Sequence, residues 1–402
     1  MWGRMLWRNL VGRTLSCKLF TSLCKNISPK RCKPQRISAK TLSTTVPTKM
    51  ADLAKVVTVL NNFAPPSLAE SWDNVGLLVE PSPPHKVSRM LLTNDLTEGV
   101  LAEAVEKKAN LILSYHPPIF VPLKRLTQSS WKERIAVRCL ENCIAVYSPH
   151  TAYDAVKGGV NDWLAAGLGV GQVEPLHTSV QPHPQGHVFL LEVCVDKPAA
   201  VALQEKLAAL QQGEVTMQDV TAGSRGDCIK INMRCSQHAL VQAVNCVNQT
   251  LGDKAVTSLQ VVKLEKPPLP GAGMGRLVTL DVPVTMSDLL SRVKTHLRLN
   301  HVRLGMGEGR TLEGSTVRSV ALCAGSGGSV LKGVKADVYL TGEMSHHDIL
   351  DAVAMGTSVI LCEHSNTERG FLRVLQGQLT AMLDGKVEVM VSDVDKDPVE
   401  VV

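Results

Sequence analysis

Near the end of the chain, His364-Ser365-Asn366-Thr367-Glu368-Arg369-Gly370 carries an imidazole and a carboxylate four residues apart. That spacing can aim both groups at one metal ion. Two further segments have the same character. Ser114-Tyr115-His116-Pro117-Pro118-Ile119-Phe120 sets His116 before a Pro-Pro pair, and Ser148-Pro149-His150-Thr151-Ala152-Tyr153-Asp154 again puts His and Asp four apart. Mixed nitrogen and oxygen donors suit Zn, Mn or Fe without choosing among them. Each segment taken alone has a plainer explanation. Ser365-x-x-Glu368 is also a capping box, His150 can be a hydrogen-bonded loop residue, and His116 can cap a strand end. Three such segments in matching places favour a metal site. His346-His347-Asp348 is a fourth cluster, but neighbouring helical residues diverge by about 100° and seldom share an ion. Ser345-x-x-Asp348 also matches a cap, so His347 is assigned a supporting role behind the ligands.

Matching places means predicted strand ends, where open α/β sheets put their ligands. The apolar run Ser358 to Cys362 reads as a buried strand leading into the His364 segment, with a helix from about Asn366. Leu111 to Ser114 precedes His116. That strand must stop, because Pro117 cannot donate to a ladder and restricts the residue before it. Ile144 to Ser148 precedes His150. Strands at 75–80, 89–93, 317–323, 337–340 and 387–391 alternate with helices at 52–63, 97–108, 130–141, 345–355 and 366–384. This alternation indicates an α/β sandwich around a largely parallel sheet. Gly325-Ser326-Gly327-Gly328 follows a strand and matches no phosphate-binding fingerprint, so tight turning accounts for it.

The middle differs. Between a polar, Pro-rich linker at His183-Pro184 and the exit Lys266 to Gly271, the pattern reads β-α-β-β-α-β, the ferredoxin-like arrangement. The expected organisation is therefore an N-terminal half of an α/β unit (50–182), an inserted ferredoxin-like α+β domain (185–265), and the C-terminal half of the same unit (271–402).

The chain has 402 residues and a formal net charge of +6, yet residues 1–50 hold 11 of its 43 basic residues and no acidic one. The remaining 32 basic residues face all 37 acidic ones, so the body is mildly acidic. That argues against nucleic acid as a main ligand and suits divalent cations. No window reaches the roughly 18 apolar residues of a membrane span. The 11 cysteines form no C-x-x-C pair, which favours free thiols in a reducing compartment. The acid-free, Arg- and Ser-rich segment 1–49 reads as a mitochondrial presequence, and initiation at Met50 predicts a shorter cytosolic form.

Together, Trp72-Asp73-Asn74-Val75-Gly76-Leu77, the His116 and His150 segments, Gly325 to Gly328, Thr341-Gly342-Glu343 and His364 to Gly370 resemble the Nif-three-like family. Its members are also labelled GTP cyclohydrolase I type-2 homologues. The resemblance implies that family's α/β sandwich and a toroidal homo-oligomer, a hexamer, with a dinuclear metal site facing an inner cavity. It also implies the ligands: Tyr115 and His116 in place of a His-His pair, Asp154, His364 and Glu368. Tyr115 departs from the pattern, since a phenol near pKa 10 is a poor ligand. The implied chemistry is metal-assisted hydrolysis of a phosphate- or nucleotide-like small molecule, with His150 or His347 moving protons. The resemblance equally implies a scaffold that partners transcriptional regulators as a corepressor in cytoplasm and nucleus, with a structural metal. A metal-chaperone role is a third expectation.

Overall fold

A computed structural model describes residues 50–181, 186–222, 226–254 and 259–401. The expected presequence and the His183-Pro184 linker lie outside the described residues.

Continuous apolar runs build two parallel-centred sheets. In the first, the order is Glu388–Val391, Arg89–Thr93, Leu111–Ser114, Ala145–Ser148, Gly76–Val79. The first four are parallel and Gly76–Val79 closes the edge antiparallel. Strands buried on both faces read as unbroken hydrophobic stretches, and the faces are told apart by period two. Met90, Leu92, Leu111 and Leu113 enter one core, while Leu91 and Ile112 enter another beneath helices Glu98–Glu106 and Trp131–Glu141. Side-chain caps begin both helices: Thr97 accepts from the Val100 amide and Ser130 from that of Glu133.

The second sheet runs Arg303–Gly305, Ser358–Leu361, Val338–Glu343, Thr316–Ser326, Arg276–Thr285, Gly171–Glu174. Its middle three strands, Ser358–Leu361, Val338–Glu343 and Thr316–Ser326, are parallel, and the flanking ones are antiparallel. Val320, Leu322, Val338, Leu340 and Ile360 share their core with Met90 and Leu113 of the first sheet. The two sheets thus close on one apolar interior.

Residues 189–263 form a four-stranded antiparallel sheet in the order Gly213–Ala222, Gly226–Cys235, Phe189–Val195, Leu259–Lys263. Helices Lys197–Ala209 and Gln237–Leu251 supply Leu203, Leu207, Ala243 and Val247 to a core against Leu191, Val193, Ile231 and Met233. Among the described residues no helix is long and apolar enough to cross a membrane.

The arrangement of the sheets and their connections departs from the sequence-based expectation in several places. One expected sheet is two. The Pro-rich exit is a strand, Pro268–Met274, pairing with His177–Val180, since an edge strand tolerates proline. Arg276–Thr285 and helix Met286–Leu297 had no counterpart in the pattern read between 271 and 316. The last strand, Glu388–Val391, crosses back to lie beside Arg89–Thr93, which ties the end of the chain to its first half.

Candidate metal centre

Each parallel strand flanking the centre delivers a residue of the site at its carboxyl end, polar in every case but one. Arg89–Thr93 runs into Asn94-Asp95, Leu111–Ser114 into Tyr115-His116, and Ala145–Ser148 into His150 and Asp154. From the second sheet, Thr316–Ser326 brings Gly325, Val338–Glu343 ends on Glu343, and Ser358–Leu361 leads to His364 and Glu368. The shared core holds these ends face to face. One donor atom each from His116, His364 and Glu368 lie within 4.8 Å of one another.

The three are held from behind. His116 Nδ1 lies 2.9 Å from Asp95 Oδ1, and His364 Nδ1 lies 3.0 Å from Glu343 Oε2. This leaves both Nε2 atoms facing Glu368, at 3.4 Å from Oε2 and Oε1 respectively. Asn94 Nδ2 donates to Glu368 Oε2 at 3.1 Å, while the buried Asn94 Oδ1 has no partner. A carboxylate behind each imidazole sets its tautomer and strengthens it as a ligand. The backbone latches these loops as well: the Tyr115 and His116 amides donate to the Thr93 and Asn94 carbonyls at 2.9 and 3.0 Å.

His364 and Glu368 meet without the α-helix expected from Asn366. Ser365–Thr367 is one 3-10 turn, and the α-helix starts only at Phe371. Glu368 is 4% exposed and turned into the centre, so it does not cap a helix. At the other cluster the capping pattern holds, with the Ser345 side chain accepting from the Asp348 amide. His347 sits exposed on that helix, outside the ligand group.

Tyr115 and Asp154 take a different arrangement. The Tyr115 hydroxyl donates to Asp154 Oδ1, both residues being buried. Burial, with the charges of Asp154 and Glu368, raises the phenol well above its ordinary value. Burial likewise lifts Asp154 to about 6, against the pull of the Tyr115 hydrogen bond. The pair therefore stands beside the His-His-Glu group as a neutral donor on a carboxylate. His150 has φ of 35°, a strained value for a residue with a side chain, and its Nδ1 is 2.7 Å from Asp73 Oδ1. Its ring centroid is 5.3 Å from that of His116, which in turn is 5.2 Å from that of His364.

These residues fit a cation. Burial lowers the basicity of His116, but Asp95 and Glu368 overcome it and push its pKa up to about 10. A site that holds a proton so firmly between two carboxylates is short of positive charge. A divalent ion can take the proton's place. Gly325 has φ of +64°, and a Cβ there would lie 2.6 Å from Glu368 Oε1 and 3.0 Å from His364 Nε2. Only a residue without a side chain leaves that space open. Burial pushes the nearby Cys323 thiol up, and Cys323 lies outside the His-His-Glu group. A cavity of about 370 Å³ opens onto the centre, lined by Trp72, His150, Asp154, Gly325, His364 and Glu368 among others.

Residue patterns alone missed Asp95, Asn94, Glu343 and Asp73 as supporting groups. Glu343 and Asp73 lie in motifs quoted for the family resemblance, and Asn94-Asp95 is a polar pair directly after a buried strand, which was the available signal.

A protein-family model described as Duf34/NIF3 (NGG1p interacting factor 3) matches residues 51–398. NIF3-like protein 1 of Homo sapiens is 50% identical over 353 residues, covering 87% of this chain and 93% of the relative. NGG1-interacting factor 3 of Saccharomyces cerevisiae is 32% identical over 364 residues, covering 87% and 97%. Among solved structures, a Staphylococcus aureus protein superposes with TM-score 0.66 at 25% identity, covering 88% of this chain and 99% of its own.

Proposed function

Because this chain belongs to the Duf34/NIF3 family, we propose that it is a metal-binding protein of hydrolase type acting on a phosphate- or nucleotide-like small molecule. The observation that carries this reading is the convergence of His116, His364 and Glu368 at a cavity mouth, each imidazole backed by its own carboxylate. Glu368 and the two imidazoles would hold a divalent ion, which would supply Lewis acidity to a substrate in that cavity. The chain's own residues do the rest. His150, fixed through Nδ1 by Asp73, offers its second nitrogen to accept or return a proton at the cavity wall. Tyr115 keeps Asp154 oriented. The His-His-Glu group supports a reading with one primary ion, with Asp154 available to a second.

The test is metal content by mass spectrometry on the purified chain beside His364→Ala, followed by hydrolysis assays on phosphomonoesters and nucleotides. One ion per chain, lost with His364, together with metal-dependent turnover, is the expected result. A folded wild-type chain that retains no metal after purification in Zn, Mn or Fe refutes it.

The yeast relative, NGG1-interacting factor 3, supports a second reading, in which the chain is a protein-interaction partner of a transcription-related factor and its metal is structural. Loss of such a partner on deleting residues 185–265 supports this reading, and retained turnover-dead metal in the intact chain agrees with it. Homo-oligomer formation, mitochondrial import through residues 1–49 and a cytoplasmic and nuclear form from Met50 belong to the same proposal. Light scattering and imaging of tagged chains test them.

A further inference from the structure

A second cavity, of about 530 Å³, contains none of the metal donors in its wall. Its size falls in the range of about 300–1,000 Å³ that small organic ligands occupy. Three arginines from two stretches of chain line it: Arg298, and Arg369 with Arg373 four residues on. Arg369 is engaged, donating through Nη2 to Ser365 Oγ at 2.8 Å and lying 3.4 Å from Asp395 Oδ2. Arg298 and Arg373 are exposed and form no ion pair among the described residues, while Arg373 lies near enough to Asp393 to help lower that carboxyl's pKa. Arg298 also holds a left-handed backbone, φ 58°, at the end of helix Met286–Leu297, where glycine is the usual occupant. An arginine kept at that backbone cost, facing a cavity with another unpaired arginine, points to an anion.

One buried atom strengthens this. His296 Nε2 has no hydrogen-bond partner among the described residues and its residue lines this cavity, whereas Arg369 Nε is the atom that faces Asp395 Oδ2. Buried polar groups are seldom left unpaired, so this nitrogen marks a partner that arrives from outside the chain. The His296 ring packs at 4.6 Å and 36° on Trp163. In the neutral tautomer protonated at Nδ1, the unpartnered Nε2 is an acceptor, which asks for a hydroxyl. Trp163, Val374 and Val391 add an apolar wall. Asp393, the other carboxylate present, is already 2.6 Å from Lys107 Nζ.

We propose that this cavity binds an aromatic phosphate monoester bearing free hydroxyls, of which a nucleoside monophosphate is the simplest form. Arg298 and Arg373 take the phosphate, His296 Nε2 accepts from a sugar hydroxyl, and the planar ring lies along Trp163. The assignment does not rest on the metal centre.

Calorimetric titration of the full chain with adenosine monophosphate, adenosine and inorganic phosphate tests it, in wild type, Arg298→Ala, Arg373→Ala and His364→Ala. The monophosphate should bind more tightly than either fragment. Each arginine substitution should weaken it roughly tenfold or more, the scale of one charge-assisted hydrogen bond, with metal content unchanged. Binding should persist in His364→Ala. Three results overturn the proposal: affinity unchanged in both arginine variants, phosphate alone binding as tightly, or binding that disappears with His364 and so belongs to the metal centre. Absence of saturable binding at millimolar monophosphate also overturns it.

Discussion

Replacing Gly325 by alanine separates the candidate metal centre from the fold around it. The added Cβ would stand 2.6 Å from Glu368 Oε1 and 3.0 Å from His364 Nε2, so two of the three donors must retreat by several tenths of an ångström. Metal–ligand distances tolerate only about 0.2 Å. Disturbing even a supporting group costs roughly 10–100-fold in metal affinity, and here two donors themselves are displaced, so a loss of at least about 100-fold is expected. The backbone at φ +64° adds about 1–2 kcal/mol of left-handed strain. Gly333→Ala is the matched control: its φ is +78°, but a Cβ there meets nothing within 4 Å. Both variants should lose similar stability in denaturant unfolding, and only Gly325→Ala should lose metal in a chelator competition. Wild-type affinity in a folded Gly325→Ala chain refutes a centre built on His116, His364 and Glu368.

Removing the carboxylate behind His116 with Asp95→Asn should weaken metal binding about 10–100-fold, read by the same competition, because the imidazole loses the partner that fixes Nδ1. Tyr115→His places a second imidazole beside Asp154. Metal content by mass spectrometry should rise from one toward two ions per chain, and an unchanged count argues that the phenol is not what limits the site. Asp337 anchors the second sheet: burial raises its pKa, but hydrogen bonds from Arg310, Arg318 and Ser319 prevail and hold it at about 2. Because the folded value is depressed from 3.8, its contribution is complete above about pH 4 and fades as pH falls toward 2. Asp337→Asn should cost about 2 kcal/mol in urea unfolding at pH 7, with the difference from wild type shrinking below pH 4. A gap independent of pH contradicts the assignment.

The alternation of apolar runs and helical segments was enough to read the mixed α/β class, because strands buried on both faces must be continuously apolar and their caps are local. Met90 to Thr93, Leu111 to Ser114 and Ser358 to Leu361 declare themselves in this way. The middle β-α-β-β-α-β pattern was legible for the same reason, its helices Lys197–Ala209 and Gln237–Leu251 opening on side-chain caps at Asp196 and Ser236. Spacing likewise pointed to His116, His364 and Glu368 as chemistry-bearing residues at strand ends.

Tertiary structure decided which of those residues meet. His364 and Glu368 face one another across a 3-10 turn that no helical periodicity describes, and His116 joins them only because two sheets share a core. The pairing of Tyr115 with Asp154 follows from burial, a property of the assembled interior and not of any local segment. The backing carboxylates Asp95 and Glu343 are 21 residues from the imidazoles they hold, a separation at which sequence carries no contact signal. The return of Glu388–Val391 to the first sheet is of the same kind, since its partner Arg89–Thr93 lies almost the whole folded chain away. Local propensity and periodicity act over a few residues, so they specify elements and their ends. Packing of the sheets into one core specifies which ends converge, and that convergence makes the centre.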